Sequence, residues 1–211
     1  MTQTDTRQRI IDAAEQLFAE KGFNNTTMRA ITGMADVNLA AVNYHFGSKE
    51  SLLQEVFERH ILPLNKERRR RLEAVRAATM IKKEPLKVRE VLTAFISPTL
   101  KLRDAGPSAR NFLSLVGRSL SDADDTPRRI FFTNMRPIFE LLFDMMCEAL
   151  PETPPGHVCW RLRFALSSMG QVLIGTDFTS ALFPQADAHQ TTQQIEELLL
   201  DFIIPGMEES H

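Results

Sequence analysis

Residues 26–49, TTMRAITGMADVNLAAVNYHFGSK, constrain this chain more tightly than any other stretch. Two short helical segments flank a tight break, and a Tyr-His-Phe exit leads into a further helix. Thr26 or Thr27 can cap the first segment, which runs to about Gly33, because a side-chain oxygen there accepts from an orphan backbone N–H. Asn38 can cap the second, at about 39–45, and Ser48 a longer helix that starts at Lys49. The turn is Gly33-Met34-Ala35-Asp36, where a glycine can take a backbone shape that other residues resist. Ala30, Ile31, Met34, Ala35, Val37 and Val42 supply small apolar surfaces that let two helices cross closely. The pattern is a helix-turn-helix, a unit that lays its second helix in the DNA major groove.

The rest of the chain reads as helix as well. Strand-like alternation is missing, and Leu, Ala, Arg, Glu and Met are abundant. A first helix over about 5–21 carries Ile10, Ile11, Ala14, Leu17 and Phe18 as one apolar stripe, and Gly22 ends it. The helix from Lys49 carries Leu52, Leu53, Val56, Phe57 and Ile61, with Pro63 expected to kink or end it. Further helices are expected at about 85–103, 108–121, 127–149, 155–182 and 190–204, with kinks at Pro98 and Pro137. Loops fall at Gly106-Pro107, Asp122 to Asp125 and Pro151 to Gly156. The expected fold is all-α: a three-helix helix-turn-helix head over residues 1–50, then a helical body over 51–211, joined by the helix that begins at Ser48.

Charge is distributed unevenly. Residues 1–83 hold 14 Lys/Arg against 10 Asp/Glu, whereas residues 84–211 hold 11 against 17. A basic front and an acidic rear suit a DNA-binding head on a body that does not touch DNA. The basic run Lys66 to Arg71 reads either as a solvated helix face or as a remote phosphate contact. Without an apolar run of about 18 residues or a signal-peptide core, the chain is expected to be cytoplasmic and off the membrane. Cys147 and Cys159 stand in no CxxC pair and read as free, buried thiols. His45, His60, His157, His189 and His211 are scattered, so no metal site is expected. No cofactor-binding or catalytic motif is present, which argues against an enzyme.

Interface chemistry can be assigned residue by residue. Thr27 opens a helix where free N–H groups favour an anion, and Lys49 brings a full positive charge. Tyr44, His45 and Arg29 can donate to phosphate oxygens, although His45 reads equally well as a packed surface residue. Asn38, Leu39, Ala40, Ala41 and Asn43 are the base-reading candidates. Asn43 can pair with adenine through two hydrogen bonds, and Leu39, Ala40 and Ala41 can touch thymine methyls. Val42 and Phe46 belong to the core.

The segments AAEQLFAEKGFNNTTMRAI and ADVNLAAVNYHFGSKESLL carry a resemblance. Over residues 7–57 the chain resembles the DNA-binding head of the TetR-type family of bacterial repressors. The resemblance places Thr27, Tyr44, His45 and Lys49 at the family's usual phosphate-contacting positions. Ala40-Ala41 departs from a Gly-Thr pair frequent in the family and removes a possible hydroxyl contact. The form VNLAAVNYHFGSK is typical of one subgroup. In the rear half, PETPPGHVCWRLRFALSSMG, following FELLFDMMCEAL, is similar to a branch that includes fatty-acid-responsive regulators. The resemblance implies a homodimer, a small-molecule pocket in the body, and a four-helix interface made by the last two long helices.

The helix at 127–149 is rich in Phe, Ile, Leu and Met around much of its circumference, so it must be buried on more than one side. Core packing explains this, yet Phe and Met also suit an adaptable apolar cavity. Phe131, Met135 and Phe139, with Phe112, Leu115, Val116, Trp160, Phe164 and Met169, are the candidate lining. Arg118 and Arg136 can hold a carboxylate, or pair with acidic neighbours. The expected effector is apolar or amphipathic, such as a fatty acid or acyl thioester, and its binding would release a pseudo-palindromic operator. A different class of function, a helical lipid- or small-molecule-binding protein with no DNA-dependent role, is the competing expectation.

Overall fold

A computed structural model describes residues 3–121, 125–174 and 190–209. Among the described residues the regular structure is helical: α1 Gln3–Asn25, α2 Met28–Ala35, α3 Leu39–Phe46, α4 Lys49–Lys82, α5 Val88–Leu100, α6 Pro107–Ser121, α7 Asp125–Ala149, α8 Pro155–Ile174 and α9 Thr192–Glu208. A short 3-10 turn, Lys101–Asp104, follows α5. The expected end of the eighth helix, 175–182, and most of the Asp122 to Asp125 loop lie outside the described residues. The residues divide into two compact units, one of Met1–Pro63 with Ala105–Met135, the other of Leu64–Asp104 with Arg136–His211.

In the first unit, the stripe on α1 is buried as its spacing predicts, with Ile10, Ala14 and Phe18 fully enclosed. Gly22 breaks the helix at φ 79, after which the chain regains one helical stretch to Asn25. Thr26 is buried there and donates to the carbonyls of Leu17 (3.1 Å) and Gly22 (2.8 Å). It therefore secures the end of α1, while Thr27 caps α2. α6 packs along α1. Phe57 from α4 meets Phe112 edge-on at 6.3 Å and Phe131 at 6.0 Å, so α4, α6 and the start of α7 share one aromatic cluster.

Within the same unit a polar group sits under this packing. Glu15 on α1 is 2 % exposed. Ser108 Oγ donates to its Oε1 at 2.6 Å, and His60 Nε2 lies 2.7 Å from its Oε2. A carboxylate oxygen facing Nε2 calls for the proton on that nitrogen. The His60 ring stacks on Phe112 at 4.6 Å. One buried carboxylate thus ties α1, α4 and α6 together, with Arg59 reaching both Glu15 and Asp12 from the solvent side.

In the second unit, α5 is buried along nearly its whole length, and α8 and α9 pack against it and against each other. Thr191 and Gln194 cap α9 reciprocally. Pro63 neither ends nor shortens α4, which continues to Lys82. The basic run resolves into three environments. Arg70 and Arg71 bind Glu67, whose carboxyl they hold down at about 2, and Arg69 meets Glu73. Arg68 is buried; it donates to Thr99 and Asn65, lies over the Phe95 ring, and is pushed down to about 9 by desolvation. Cys147 is half-buried, its thiol pushed up by burial, but Cys159 is exposed, contrary to the expectation of two buried thiols. Its place on the outer side of α8, next to the buried Val158, is the reason.

Candidate nucleic-acid interface

α2 and α3 are eight residues each, too short to persist alone, so caps and packing hold them. Thr27 Oγ1 accepts from Ala30 N at 3.1 Å, and Asn38 Oδ1 accepts from Ala41 N at 2.8 Å. The left-handed residue of the turn is Asp36 (φ 50), not Gly33, which stays helical inside α2. Short polar Asp tolerates that conformation, and its N–H returns to the carbonyls of Thr32 and Gly33. Gly47, at φ 71, ends α3 with its N–H on Asn43 O.

Val42 and Phe46 point α3 into the core. At about 100° per residue, 40, 41 and 44 lie away from that pair, 43 and 45 flank it, and 39, three residues before Val42, falls on the same side as the pair at the open end of the helix. Leu39, Ala40, Asn43 and Tyr44 are exposed, Tyr44 at 74 %, Leu39 because it opens the helix, whereas Ala41 and His45 are half-buried. Thr27, Arg29 and Asn38 are exposed as well. The base-reading candidates thus lie on α3 and its cap Asn38, while Thr27 caps α2 and Arg29 stands in the first turn of α2. Asn38 spends its amide oxygen on capping, which leaves the NH₂ as its outward group.

Lys49 is placed differently from the rest. Its Nζ donates to Phe23 O (2.9 Å) and Thr26 O (3.1 Å) and lies 4.2 Å from the Phe23 ring centroid. The ammonium thus braces the α1–α2 bend. Arg9, which no sequence pattern singled out, does likewise at the α2–α3 turn, bonding Ala35 O and Asp36 O. Its partners lie 26 and 27 residues away, beyond any helical spacing. Arg7 lies over the Phe46 ring and pairs with Glu55, bracing the exit of α3.

The body candidates fall in two places. Phe112, Val116 and Met135 are buried and Phe131 half-buried in the first unit, with Leu115 among them. Phe139 is half-buried and Met169 buried in the second. Arg118 is exposed and donates to Glu20 O, and Arg136 is exposed and paired with Glu140. Trp160 (55 % exposed) and Phe164 (63 %) stand on the outer face of α8. On α9 the same holds for Leu198 and Phe202.

Residues 10–56 match the family of bacterial regulatory proteins of the tetR type, and residues 93–206 match the tetracyclin repressor-like C-terminal domain. The probable HTH-type transcriptional regulator YttP of Bacillus subtilis is 41% identical over 51 residues, 24% of this chain and 25% of that protein. The match thus spans about a quarter of the curated relative. By structure, the fatty acid degradation regulator FadR of Bacillus halodurans superposes with TM-score 0.68 at 16% identity, covering 97% of both chains. FadR of Bacillus subtilis, solved in complex with stearoyl-CoA, gives 0.64 at 17% identity over 94% of this chain and 98% of its own. With both family profiles matched in order and the second covering more than half of its length, the chain belongs to the TetR family of bacterial transcriptional regulators.

Proposed function

We propose that the chain is a homodimeric repressor that reads a pseudo-palindromic operator through α3 and releases it when an amphipathic acyl compound binds. The observation that carries the DNA reading is the outward face of α3. Leu39, Ala40, Asn43 and Tyr44 are exposed on a helix that Val42 and Phe46 lock against the core. Asn43 is suited to adenine and Leu39 and Ala40 to thymine methyls, while Thr27, Arg29, Tyr44, His45 and the Lys49 end of α4 address phosphates. Residues 1–50 act as the DNA-binding part and 51–211 as the regulatory part.

Dimerisation is supported by the apolar pairs on the outer faces of α8 and α9. Four large side chains, Trp160, Phe164, Leu198 and Phe202, are each more than half exposed. Large apolar side chains so exposed belong in an interface. Two copies are also what a two-fold operator requires. The acyl effector is supported by the two FadR-like folds, one of them solved with stearoyl-CoA, and by the Phe- and Met-rich α7. Half-sites lie about 34 Å apart, so a small change in head spacing weakens binding strongly.

Selection from a randomised duplex pool of about 30 bp, followed by gel shifts across a salt series, tests this reading. The expected outcome is one symmetric sequence, bound with a steep salt slope and released by stearoyl-CoA or a free fatty acid. Recovery of no duplex would remove the DNA role and favour the lipid-binding alternative. Binding without release by any acyl compound would remove the effector alone.

A further inference from the structure

We propose that Arg9 is a positioning residue for DNA reading: it fixes the direction of α3 by clamping the α2–α3 turn from α1. This rests on the DNA-binding reading above. One nitrogen, Nη2, donates to Ala35 O at 2.5 Å and to Asp36 O at 3.0 Å, and lies 3.3 Å from Asp36 Oδ2. Ala35 is the last residue of α2, and only residues 36–38 separate it from α3. Carbonyls at the end of a helix lack partners within it, and a cation there is doubly favoured, by hydrogen bonding and by the helix dipole. Asp36 holds a left-handed conformation that non-glycine residues adopt only when their surroundings support it. The Arg9 side chain is 26 % exposed and that of Asp36 94 %, so the clamp closes the turn from its inner side.

Geometry shows why such a clamp matters for reading bases. α3 has eight residues. At about 1.5 Å per residue it is a lever of about 12 Å, and a tilt of about 10° at the turn displaces its far end by about 2 Å. Hydrogen bonds to base edges tolerate far less than that. Thr27 and Asn38 fix where α2 and α3 begin, but they do not fix the angle between them. Among the described residues, the Arg9 side chain bonds the backbone of the turn itself.

The test compares Arg9→Met, Arg9→Lys and Arg29→Ala with the parent chain on the duplex the parent selects. Active fraction is measured by stoichiometric titration and folding by thermal melting. For Arg9→Met, affinity of the active fraction is expected to fall about tenfold or more, with the salt slope unchanged to within about 0.3. Arg9→Lys, which keeps a multi-donor cation, is expected to recover most of that loss. Arg29→Ala, removing one phosphate-facing cation from each protomer of the dimer, is expected to lower the slope by about 1.8. Parental affinity in Arg9→Met overturns the inference. So does a slope reduced by about 1.8 in that variant, because Arg9 would then be a phosphate contact in both protomers. A lowered active fraction or melting temperature with parental affinity in the folded remainder also overturns it, since the role would be stability alone. A parent that selects no duplex removes the DNA reading and this inference together.

Discussion

Removing the Ser108 hydroxyl should destabilise the first unit through a single buried carboxylate. Glu15 is 2 % exposed, and Oε1 receives Ser108 Oγ at 2.6 Å while His60 supplies Oε2 at 2.7 Å. A hydrogen bond to a charged group contributes about 1.5–3 kcal/mol, and a buried acceptor left unmet costs about as much. Ser108→Ala is therefore expected to cost about 2 kcal/mol. In a chain of this length that corresponds to a melting shift of about 4–8 °C. The decisive measurement is a double-mutant cycle by urea unfolding at one fixed protein concentration. In a Glu15→Met background the same Ser108→Ala change should cost close to nothing, because its acceptor has gone, leaving a coupling of about 2 kcal/mol. Equal costs in the two backgrounds would refute the reasoning, since Ser108 would then act through packing or the start of α6 rather than through Glu15. The cycle also asks whether α6 and α1 are joined by chemistry as well as by contact.

Other consequences are quick to check. Phe202→Glu combined with Trp160→Glu places two charges on the outer face of α8 and α9. Sedimentation should show monomers where the parent shows dimers, while helical content stays unchanged. Asn43→Ala should flatten the preference at particular base pairs by about 1–3 kcal/mol per position, with the salt slope kept, as seen by repeating the duplex selection. Glu67 is held at about 2 by Arg70 and Arg71, below its ordinary 4.5. Its contribution to stability is therefore complete above pH 4.5 and fades as pH falls towards 2. Glu67→Gln should accordingly lose less melting temperature than the parent between those two pH values, an effect that added salt reduces.

Local chemistry was legible in the chain. The stripe Ile10, Ala14, Phe18 set the buried face of α1, and Thr27, Asn38 and Ser48 each capped the helix expected of them. Val42 and Phe46, four residues apart, oriented α3 before any partner was known. Two local expectations failed for local reasons. Gly33 is not the residue in the left-handed region, because an aspartate can take that role when its neighbours support it. Pro63 does not end α4, because a helix with enough packed residues on either side absorbs a missing hydrogen bond.

What the amino-acid order alone determined is whatever repeats within a few residues: helices, their caps, their apolar faces and the family they signal. Tertiary structure decided which charges work inside the fold. Arg9 on the turn, Lys49 on the α1–α2 bend, Glu15 between Ser108 and His60, and Arg68 over the Phe95 ring are assigned by partners 23 to 93 positions distant. The physical reason is reach. Periodicity records only neighbours along a helix, whereas a long cationic or acidic side chain finds its partner on whatever element folding brings near.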